Sequence, residues 1–178
     1  TAQEGIGGVM GAIRYGLEDR VFVVTGGSRG IGLAIASELV VQGARVVICG
    51  RKQDSLDAAL AAIGGEGVTA VPAHIAREED VERLFDTVMQ KHGRLDALVN
   101  NVGMNLLTPS IADTETSLWQ KIVDTNLNGT FLCSRRAAKI MQPQKRGKIV
   151  TVSSIAGRKA SPGMGVYGIA KAGVEMLT

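Results

Sequence analysis

The chain has 178 residues, which is the size of one domain, and its 45% hydrophobic and 21% charged residues exclude a disordered tail. Aromatic residues make up only 3%, which argues against a stacking surface for single-stranded nucleic acid. For that reason we expect no nucleic-acid partner. No apolar run approaches the roughly 18 residues that cross a bilayer, so we expect no membrane partner either. Residues 1–89 hold 8 basic and 12 acidic side chains and residues 90–178 hold 12 and 5, which fits either chance or a basic surface for an anionic cofactor or partner.

Residues 1–15 lie ahead of the first strand-like run. Their glycine-rich stretch has neither the positive start nor the apolar centre of a secretory leader, so we expect no signal peptide. We predict an N-terminal extension over residues 1–15 and one folded domain over residues 16–178.

Apolar runs alternate with helical patterns along this domain. Five mostly apolar runs predict buried strands over Val21–Val24, Arg45–Cys49, Val68–Val71, Leu95–Val99 and Lys148–Ser153. Helical patterns follow them over Ile31–Gln42, Ser55–Ile63, Glu78–His92 and Ser117–Met141, with a last helix beginning near Met164. Continuous runs are typical of a parallel sheet that is covered on both faces. The order predicts an α/β, doubly wound, Rossmann-type domain with strand order 3-2-1-4-5.

The last residues, Gly168–Thr178, have helical character but no Gly, Asn or Pro that would stop the helix. A sheet that ended at the fifth strand would also leave one apolar flank uncovered. We therefore expect the natural protein to continue past residue 178.

The segment after the first strand is rich in glycine. It runs from Thr25 to Gly32 as TGGSRGIG, and Gly26, Gly30 and Gly32 have the spacing G-x3-G-x-G. Glycine permits a tight turn and a close backbone approach, and the free N–H groups of the next helix attract a pyrophosphate. The strand before the loop, the helix after it and a second strand about 20 residues on are the context of a dinucleotide site.

The end of the second strand indicates which dinucleotide is preferred. NAD sites carry an acidic residue there for the ribose 2′-hydroxyl, but this strand ends with Cys49, Gly50, Arg51 and Lys52. Arg51 stands where a 2′-phosphate would lie, and Arg29 lies inside the glycine loop. Because two guanidinium groups can bind one phosphate bidentately, the pattern favours NADP.

Four polar residues in the last third of the chain indicate proton chemistry. Tyr167 and Lys171 are four positions apart and share a helix face, where a nearby ammonium lowers the pKa of the phenol. Ser154 follows the fifth strand, at the sheet edge where doubly wound folds bind ligands. Asn126 lies in a helical stretch of poor helix propensity, where a polar side chain indicates a specific role.

Together these motifs resemble the single-domain branch of the short-chain dehydrogenase/reductase family. The glycine loop is similar to the cofactor loop of that family, and Asn100–Gly103 (NNVG) is similar to its NNAG motif. The resemblance covers residues 16–178, and the overall pattern is similar to 3-oxoacyl-acyl carrier protein reductases and to sugar or polyol dehydrogenases. The catalytic tetrad of the family is matched in order and spacing by Asn126, Ser154, Tyr167 and Lys171.

The resemblance implies a role for each tetrad residue. Tyr167 would donate a proton to the substrate carbonyl oxygen, and Ser154 would hydrogen-bond that oxygen. Lys171 would bind the nicotinamide ribose and lower the pKa of Tyr167, and Asn126 would hold a water that connects Lys171 to solvent. The implied cofactor-binding residues are Gly26, Ser28, Arg29, Gly30, Ile31, Gly32, Arg51, Asn101, Gly103, Tyr167 and Lys171.

Two departures from the family are visible. His74 stands where the family carries an aspartate for the adenine, and we interpret it as a surface histidine. The last strands and the substrate lid of the family would lie beyond residue 178. Because the family pairs the Ser117–Met141 helix between subunits, the resemblance also implies a homotetramer or a homodimer.

These observations lead to one main functional hypothesis and two alternatives. We expect an NADPH-dependent oxidoreductase acting on a carbonyl or a secondary alcohol, with a 3-oxoacyl thioester as one candidate substrate. The alternatives are a sugar or polyol dehydrogenase and a non-catalytic NADP-binding module. Cys49 and Cys133 form no C-x-x-C pair, which excludes a disulfide scaffold and a zinc ribbon. We therefore expect no metal and a cytoplasmic location.

Overall fold

A computed structural model describes residues 15–108 and 110–178, so residues 1–14 of the predicted extension lie outside the described part. Its strands are β1 (Val21–Thr25), β2 (Arg45–Gly50), β3 (Val68–Pro72), β4 (Ala97–Asn100) and β5 (Lys148–Thr151). All neighbouring pairs are parallel, and the order is β3-β2-β1-β4-β5. The predicted fold class and strand order are confirmed.

The described residues also form six α-helices and two other helical turns. The α-helices are α1 (Gly30–Val41), α2 (Gln53–Ile63), α3 (Glu78–His92), α4 (Thr116–Val123), α5 (Gly129–Gln144) and α6 (Gly165–Leu177). A π-helical turn covers Asp124–Asn128, and a 3₁₀ turn covers Ile155–Gly157. Within the described part of the chain, no helix is long and apolar enough to cross a membrane.

The central strands β1, β2 and β4 are buried on both faces, as predicted, but β5 is not: Val150 is 54% exposed, because β5 lies at the edge of the described sheet. Successive residues of a strand point to opposite faces, so Val23 lies in one core and Val24 in the other. The first core is closed by α3 and α5, with Phe85 as its largest fully buried side chain. The second core is closed by α1 and α2, and Leu56 is fully buried there. This layering leaves the carboxyl ends of the strands as one shared edge.

The helix predicted over Ser117–Met141 is present as an unbroken helical run from Thr116 to Gln144. It is not uniformly α-helical, because the π-helical turn separates α4 from α5, and Asn126 lies in that turn. Its side-chain Nδ2 donates to the Ile122 carbonyl at 2.8 Å. A side-chain amide that bonds to helix backbone competes with the regular ladder, so the turn widens there, and such π turns are frequent at functional sites.

The fifth strand ends two residues earlier than predicted. It stops at Thr151 rather than Ser153, although the Val152 N–H still donates to the Asn100 carbonyl at 2.9 Å. Val152 and Ser153, which were predicted to belong to the strand, instead lead to Ser154 and the 3₁₀ turn. As a result, the Val152 carbonyl is available to the helix that packs beside this segment.

Candidate active site

A cleft of about 720 Å³ lies along the carboxyl ends of β1, β2, β3 and β4. No acidic side chain is among the described residues that line it. Eight of the predicted cofactor residues line it, namely Gly26, Ser28, Arg29, Gly30, Ile31, Arg51, Asn101 and Gly103. Gly32, Tyr167 and Lys171 are not part of that lining.

The glycine loop needs its glycines for two reasons. Gly26 and Gly30 have φ of 65° and 56°, in the left-handed region that favours glycine. Gly32 has no room for a side chain, because a Cβ there would collide with the Gly26 carbonyl and the Asn101 amide. Sequence reasoning missed Gly27, where a Cβ would lie 2.6 Å from Ile48 Cγ2. The loop backbone can therefore pass close to Val24 of β1 and Ile48 of β2.

The N-terminus of α1 is suited to an anion. Its N-cap, Arg29, has extended backbone and makes no side-chain cap hydrogen bond, and the first turn carries no acidic residue. The leading N–H groups of a helix have no partner inside the helix, and the helix dipole is positive at this end. This end of α1 can therefore bind a pyrophosphate.

Thr25 and Asn101 lock the loop to the end of β4. The Asn101 backbone N–H donates to Thr25 Oγ1 at 3.0 Å, and the Val102 N–H donates to the same oxygen at 3.3 Å. Asn101 Nδ2 donates to the carbonyls of Thr25 and Gly26 at 3.0 and 3.3 Å. Asn101 thus braces the loop while it lines the cleft, and Thr25, which is fully buried, was not predicted as a site residue.

Three basic side chains line the part of the cleft that lies beside the end of β2. Arg29, Arg51 and Lys52 are exposed on its lining, and within the described part of the chain they have no acidic partner. Arg51 also borders a smaller cavity of about 330 Å³, together with Arg77, His74 and Asp80. The His74 backbone N–H donates to the carboxylate of Asp80 at 2.7 Å and holds the pKa of that group below its usual range.

Lys171 is a buried cation held by backbone. It is 3% exposed, and its Nζ donates to the Val152 carbonyl at 2.8 Å. Burial lowers the pKa of Lys171, because removal from water disfavours the charged form. Its Nζ lies 5.9 Å from the centre of the Tyr167 ring, one helical turn away on α6. The predicted pair is therefore brought together on one helix face.

Ser154 begins a short segment that packs directly against α6. We call residues 154–158 the serine turn; Ser154 Oγ accepts a hydrogen bond from the Ala156 N–H at 3.2 Å. A Cβ on Gly168 would lie 2.7 Å from the Ala156 carbonyl oxygen, and one on Gly157 would lie 3.0 Å from the Ala172 nitrogen. Both glycines therefore permit the close approach of the serine turn and α6, and neither was singled out from the sequence.

Asn126 connects the π-helical turn to the segment after β4. Its Oδ1 accepts from the Met104 N–H at 3.0 Å, and its Nδ2 donates to the Met104 carbonyl at 2.9 Å. A Cβ on Gly103 would lie 3.5 Å from Lys171 Nζ and 3.6 Å from Asn126 Oδ1. Asn126, Gly103 and Lys171 therefore meet at one point, while the predicted water contact of Asn126 stays a prediction.

Both cysteines, Cys49 and Cys133, are buried free thiols. Cys49 is fully buried, and burial raises the pKa of its thiol to about 12. Among residues 15–108 and 110–178, no group of three or more His, Cys, Asp or Glu residues could hold a metal ion.

Comparison with known proteins gives consistent matches across most of the chain. The family described as short chain dehydrogenase matches residues 20–178. A 3-oxoacyl-[acyl-carrier-protein] reductase of Synechocystis sp. is 40% identical over 170 residues, which cover 91% of this chain and 66% of that protein. Dehydrogenase/reductase SDR family member 4 of Bos taurus is 38% identical, over 94% of this chain and 61% of that protein. The chain thus spans less than two thirds of the length of these relatives, 66% and 61%.

Solved structures agree with the sequence matches. A short chain dehydrogenase from Bacillus anthracis superposes with a TM-score of 0.86 at 31% identity, covering 89% of this chain and 67% of the other. A short-chain type dehydrogenase/reductase from Mycobacterium ulcerans gives a TM-score of 0.86 at 34% identity, covering 90% and 60%.

Proposed function

The chain belongs to the short-chain dehydrogenase/reductase family of NAD(P)-dependent oxidoreductases, and we propose that the protein reduces a carbonyl compound with NADPH. One observation carries the proposal. The buried Lys171 lies one turn from Tyr167 on α6, and α6 packs against the serine turn at the sheet edge that holds the cleft. Perturbed titratable groups at such an edge are typical of catalytic sites.

The residues of the cleft fit a dinucleotide with a 2′-phosphate. The N-terminus of α1, free of a side-chain cap and of acidic residues, would hold the pyrophosphate. Gly30 and Gly103 line the cleft without side chains, so a bound dinucleotide could approach the backbone closely there. Arg29 and Arg51 would bind the 2′-phosphate, since no acid on the lining competes for them or bonds a free 2′-hydroxyl.

Ser154 and Tyr167 would act on the substrate carbonyl oxygen. Ser154 Oγ uses a lone pair to accept from the Ala156 N–H, so its hydroxyl hydrogen is available to donate to that oxygen. Tyr167 would transfer its phenolic proton to the same oxygen as the alcohol forms. When bound, NADPH supplies the hydride for the carbonyl carbon.

Lys171 would assist the proton transfer from Tyr167 and would also bind the cofactor. Its ammonium favours the phenolate that Tyr167 becomes after proton transfer. One of its hydrogens is committed to the Val152 carbonyl, which fixes Nζ in place and leaves two for cofactor hydroxyls. Asn126 would hold Gly103 in place beside Lys171, because its two hydrogen bonds to the Met104 backbone fix the segment that carries Gly103.

For the substrate, we propose a 3-oxoacyl thioester. The support is the 40% identity to a relative that is named a 3-oxoacyl-[acyl-carrier-protein] reductase. Two exposed apolar side chains, Leu107 and Ile155, lie on segments that flank α6 and suit an acyl chain. A screen of acetoacetyl thioesters against ketoses with NADPH tests this choice. Turnover of ketoses alone would favour a sugar or polyol dehydrogenase, and binding of NADPH without any turnover would favour a binding module.

The cofactor preference is the first testable prediction. Arg51→Ala should weaken NADPH binding about ten- to a hundred-fold and leave NADH binding unchanged, because only NADPH carries the phosphate that Arg51 contacts. Titration of both cofactors by protein fluorescence measures this. Arg146→Ala, an exposed arginine outside the cleft lining, is the matched control. Equal affinities of the wild type for NADPH and NADH would contradict the assignment.

We further propose a cytoplasmic homo-oligomer, either a dimer or a tetramer. Free, buried cysteines are common in reducing compartments. On the outer face of α5, Phe131 is 42% exposed and lies under the Arg135 guanidinium at 5.2 Å, which offers an aromatic contact for a second subunit. Light scattering on the purified protein tests the oligomeric state, and a monomer would contradict it.

A further inference from the structure

We infer that Glu175 is a positioning residue for the proposed reaction, because its carboxylate fastens the serine turn to the helix that carries Tyr167 and Lys171. The inference rests on the proposed function, since it assigns to Glu175 an effect on Ser154. Glu175 belongs to none of the motifs described above, and it touches neither the cleft lining nor the Tyr167 ring in the described contacts.

One carboxylate contacts the residue that precedes the serine turn and the last residue of the turn. Glu175 Oε1 accepts a hydrogen bond from Ser153 Oγ at 2.8 Å, and Glu175 Oε2 accepts one from Arg158 Nε at 2.9 Å. Ser153 directly precedes Ser154, and Arg158 is the last residue of the turn. The two bonds therefore hold the entry and the exit of the segment against the same helix.

The position of Glu175 on α6 makes this link effective. Tyr167, Lys171 and Glu175 follow one another at intervals of four residues, so they share one face of the helix. The close approach at Gly168 and Gly157 fixes the middle of the same contact. Ser154 is thereby held relative to Tyr167 by backbone contact in the middle and by the carboxylate at the ends.

The electrostatics keep Glu175 in its accepting form. Arg158 beside it, and then the Ser153 hydroxyl, hold the pKa of Glu175 below its usual range, so the group is ionised at neutral pH and both oxygens accept. The Arg158 side chain is 74% exposed, and exposed ion pairs add little to global stability. The expected consequence of losing Glu175 is therefore local misplacement of Ser154 rather than unfolding.

The test compares Glu175→Ala with the wild type in two independent measurements. We expect kcat for carbonyl reduction to fall about ten- to a hundred-fold, because a misplacement of about 1 Å in a catalytic group can lower the rate by about 10²-fold. The Kd for NADPH should stay within about two-fold. In the cofactor-free protein, backbone amides of residues 154–158 should exchange hydrogen faster, while those of α5 stay unchanged.

Matched variants separate this role from a general structural one. Glu78→Ala removes another arginine–glutamate pair, with Arg135, and should leave kcat and the exchange of the serine turn unchanged. Glu175→Gln keeps an acceptor for the Ser153 hydroxyl and should recover part of kcat. Arg158→Ala should lower kcat on its own but add little in the Glu175→Ala background, because both changes remove the same contact.

The outcomes decide the inference and the proposed function separately. An unchanged kcat for Glu175→Ala, or faster exchange without any loss of kcat, would overturn the positioning role. If that variant does not fold, Ser153→Ala and Arg158→Ala each remove one of the bonds and carry the same prediction. If the wild type reduces no carbonyl compound, the proposed function fails, whereas slow exchange of the serine turn that depends on Glu175 still supports the link itself.

Discussion

Burying an ammonium without an ion-pair partner costs folding free energy. Lys171 is 3% exposed, and among the described residues no carboxylate forms an ion pair with it. Its described hydrogen bond is to the Val152 carbonyl, and burial lowers its pKa. The unfolded chain therefore binds a proton at Lys171 more readily than the folded one, so this residue favours the folded state more as pH rises towards the ordinary lysine pKa. A residue that costs stability at neutral pH is consistent with selection for chemistry rather than for packing.

Two glycines of α6 give a residue-scale prediction. Gly168→Ala places a methyl group 2.7 Å from a backbone carbonyl that cannot move away freely, so we expect a loss of about 1–3 kcal/mol in the free energy of unfolding and a lower kcat. Gly165→Ala meets no atom within 4 Å and should be neutral or slightly stabilising. Urea unfolding and steady-state kinetics of both variants measure this. Equal stability of the two variants would contradict the described contact.

The sequence identified the residue types of the site but not these glycines. Tyr167 and Lys171 follow from spacing on one helix. The role of Gly168 depends on Ala156, which is twelve positions away and meets it only after the serine turn docks on α6. Glu175 was missed for the same reason, because its partner Ser153 lies 22 positions earlier.

At the scale of elements, Asp96 joins the starts of two neighbouring strands. Its Oδ2 accepts from the Val21 N–H at 2.9 Å, and its Oδ1 accepts from Arg20 at 3.2 Å and from Arg94. Burial alone would raise the pKa of Asp96, but the Val21 N–H and the two guanidinium groups outweigh it, so the pKa is lowered. The carboxylate therefore stabilises the amino-terminal edge of the sheet, opposite the cleft.

Asp96→Ala should lower the free energy of unfolding by about 1.5–3 kcal/mol at neutral pH, the range for hydrogen bonds to a charged group. Because the folded pKa lies below the unfolded value of about 3.9, this contribution is complete above that pH and disappears as the pH falls through the folded pKa. Urea unfolding from pH 7 to pH 2, as approximate limits, should show a flatter acid dependence for the variant. Asp57→Ala, an exposed residue bonded to Gln53, is the control; an equal effect of both changes would contradict the account.

Helices and strands could be predicted where their cause is local. Mostly apolar runs located every strand to within two residues at each end, and the predicted bounds of α3 agree with the observed ones. The π-helical turn was not predicted, because the Asn126 amide is shared between the local Ile122 carbonyl and the backbone of Met104, 22 residues earlier. From sequence, only the poor helix propensity of that stretch was visible.

At the scale of the whole molecule, the parallel sheet brings the site together. Strands β1, β2, β3 and β4 are parallel and end at the same edge of the sheet, so the loops that follow them line a single cleft although they are far apart in sequence. The strand order could be predicted from chain order and crossover handedness. The cofactor loop and the tetrad could therefore be expected to meet, while the distances between their atoms depend on packing that no sequence pattern encodes.

The central claim is that Tyr167 supplies a proton in an NADPH-dependent carbonyl reduction. The most direct measurement is the rate of NADPH oxidation with an acetoacetyl thioester, followed by absorbance, for the wild type and for Tyr167→Phe. The variant keeps the ring, which packs against the apolar cluster of Ile122, Val166 and Ala170, and loses only the hydroxyl, so we expect NADPH affinity to stay within about two-fold, a change of about 0.4 kcal/mol. We predict that its rate falls about 10²- to 10⁴-fold, the usual contribution of general acid–base catalysis. Reduction by the phenylalanine variant at the wild-type rate would contradict the account.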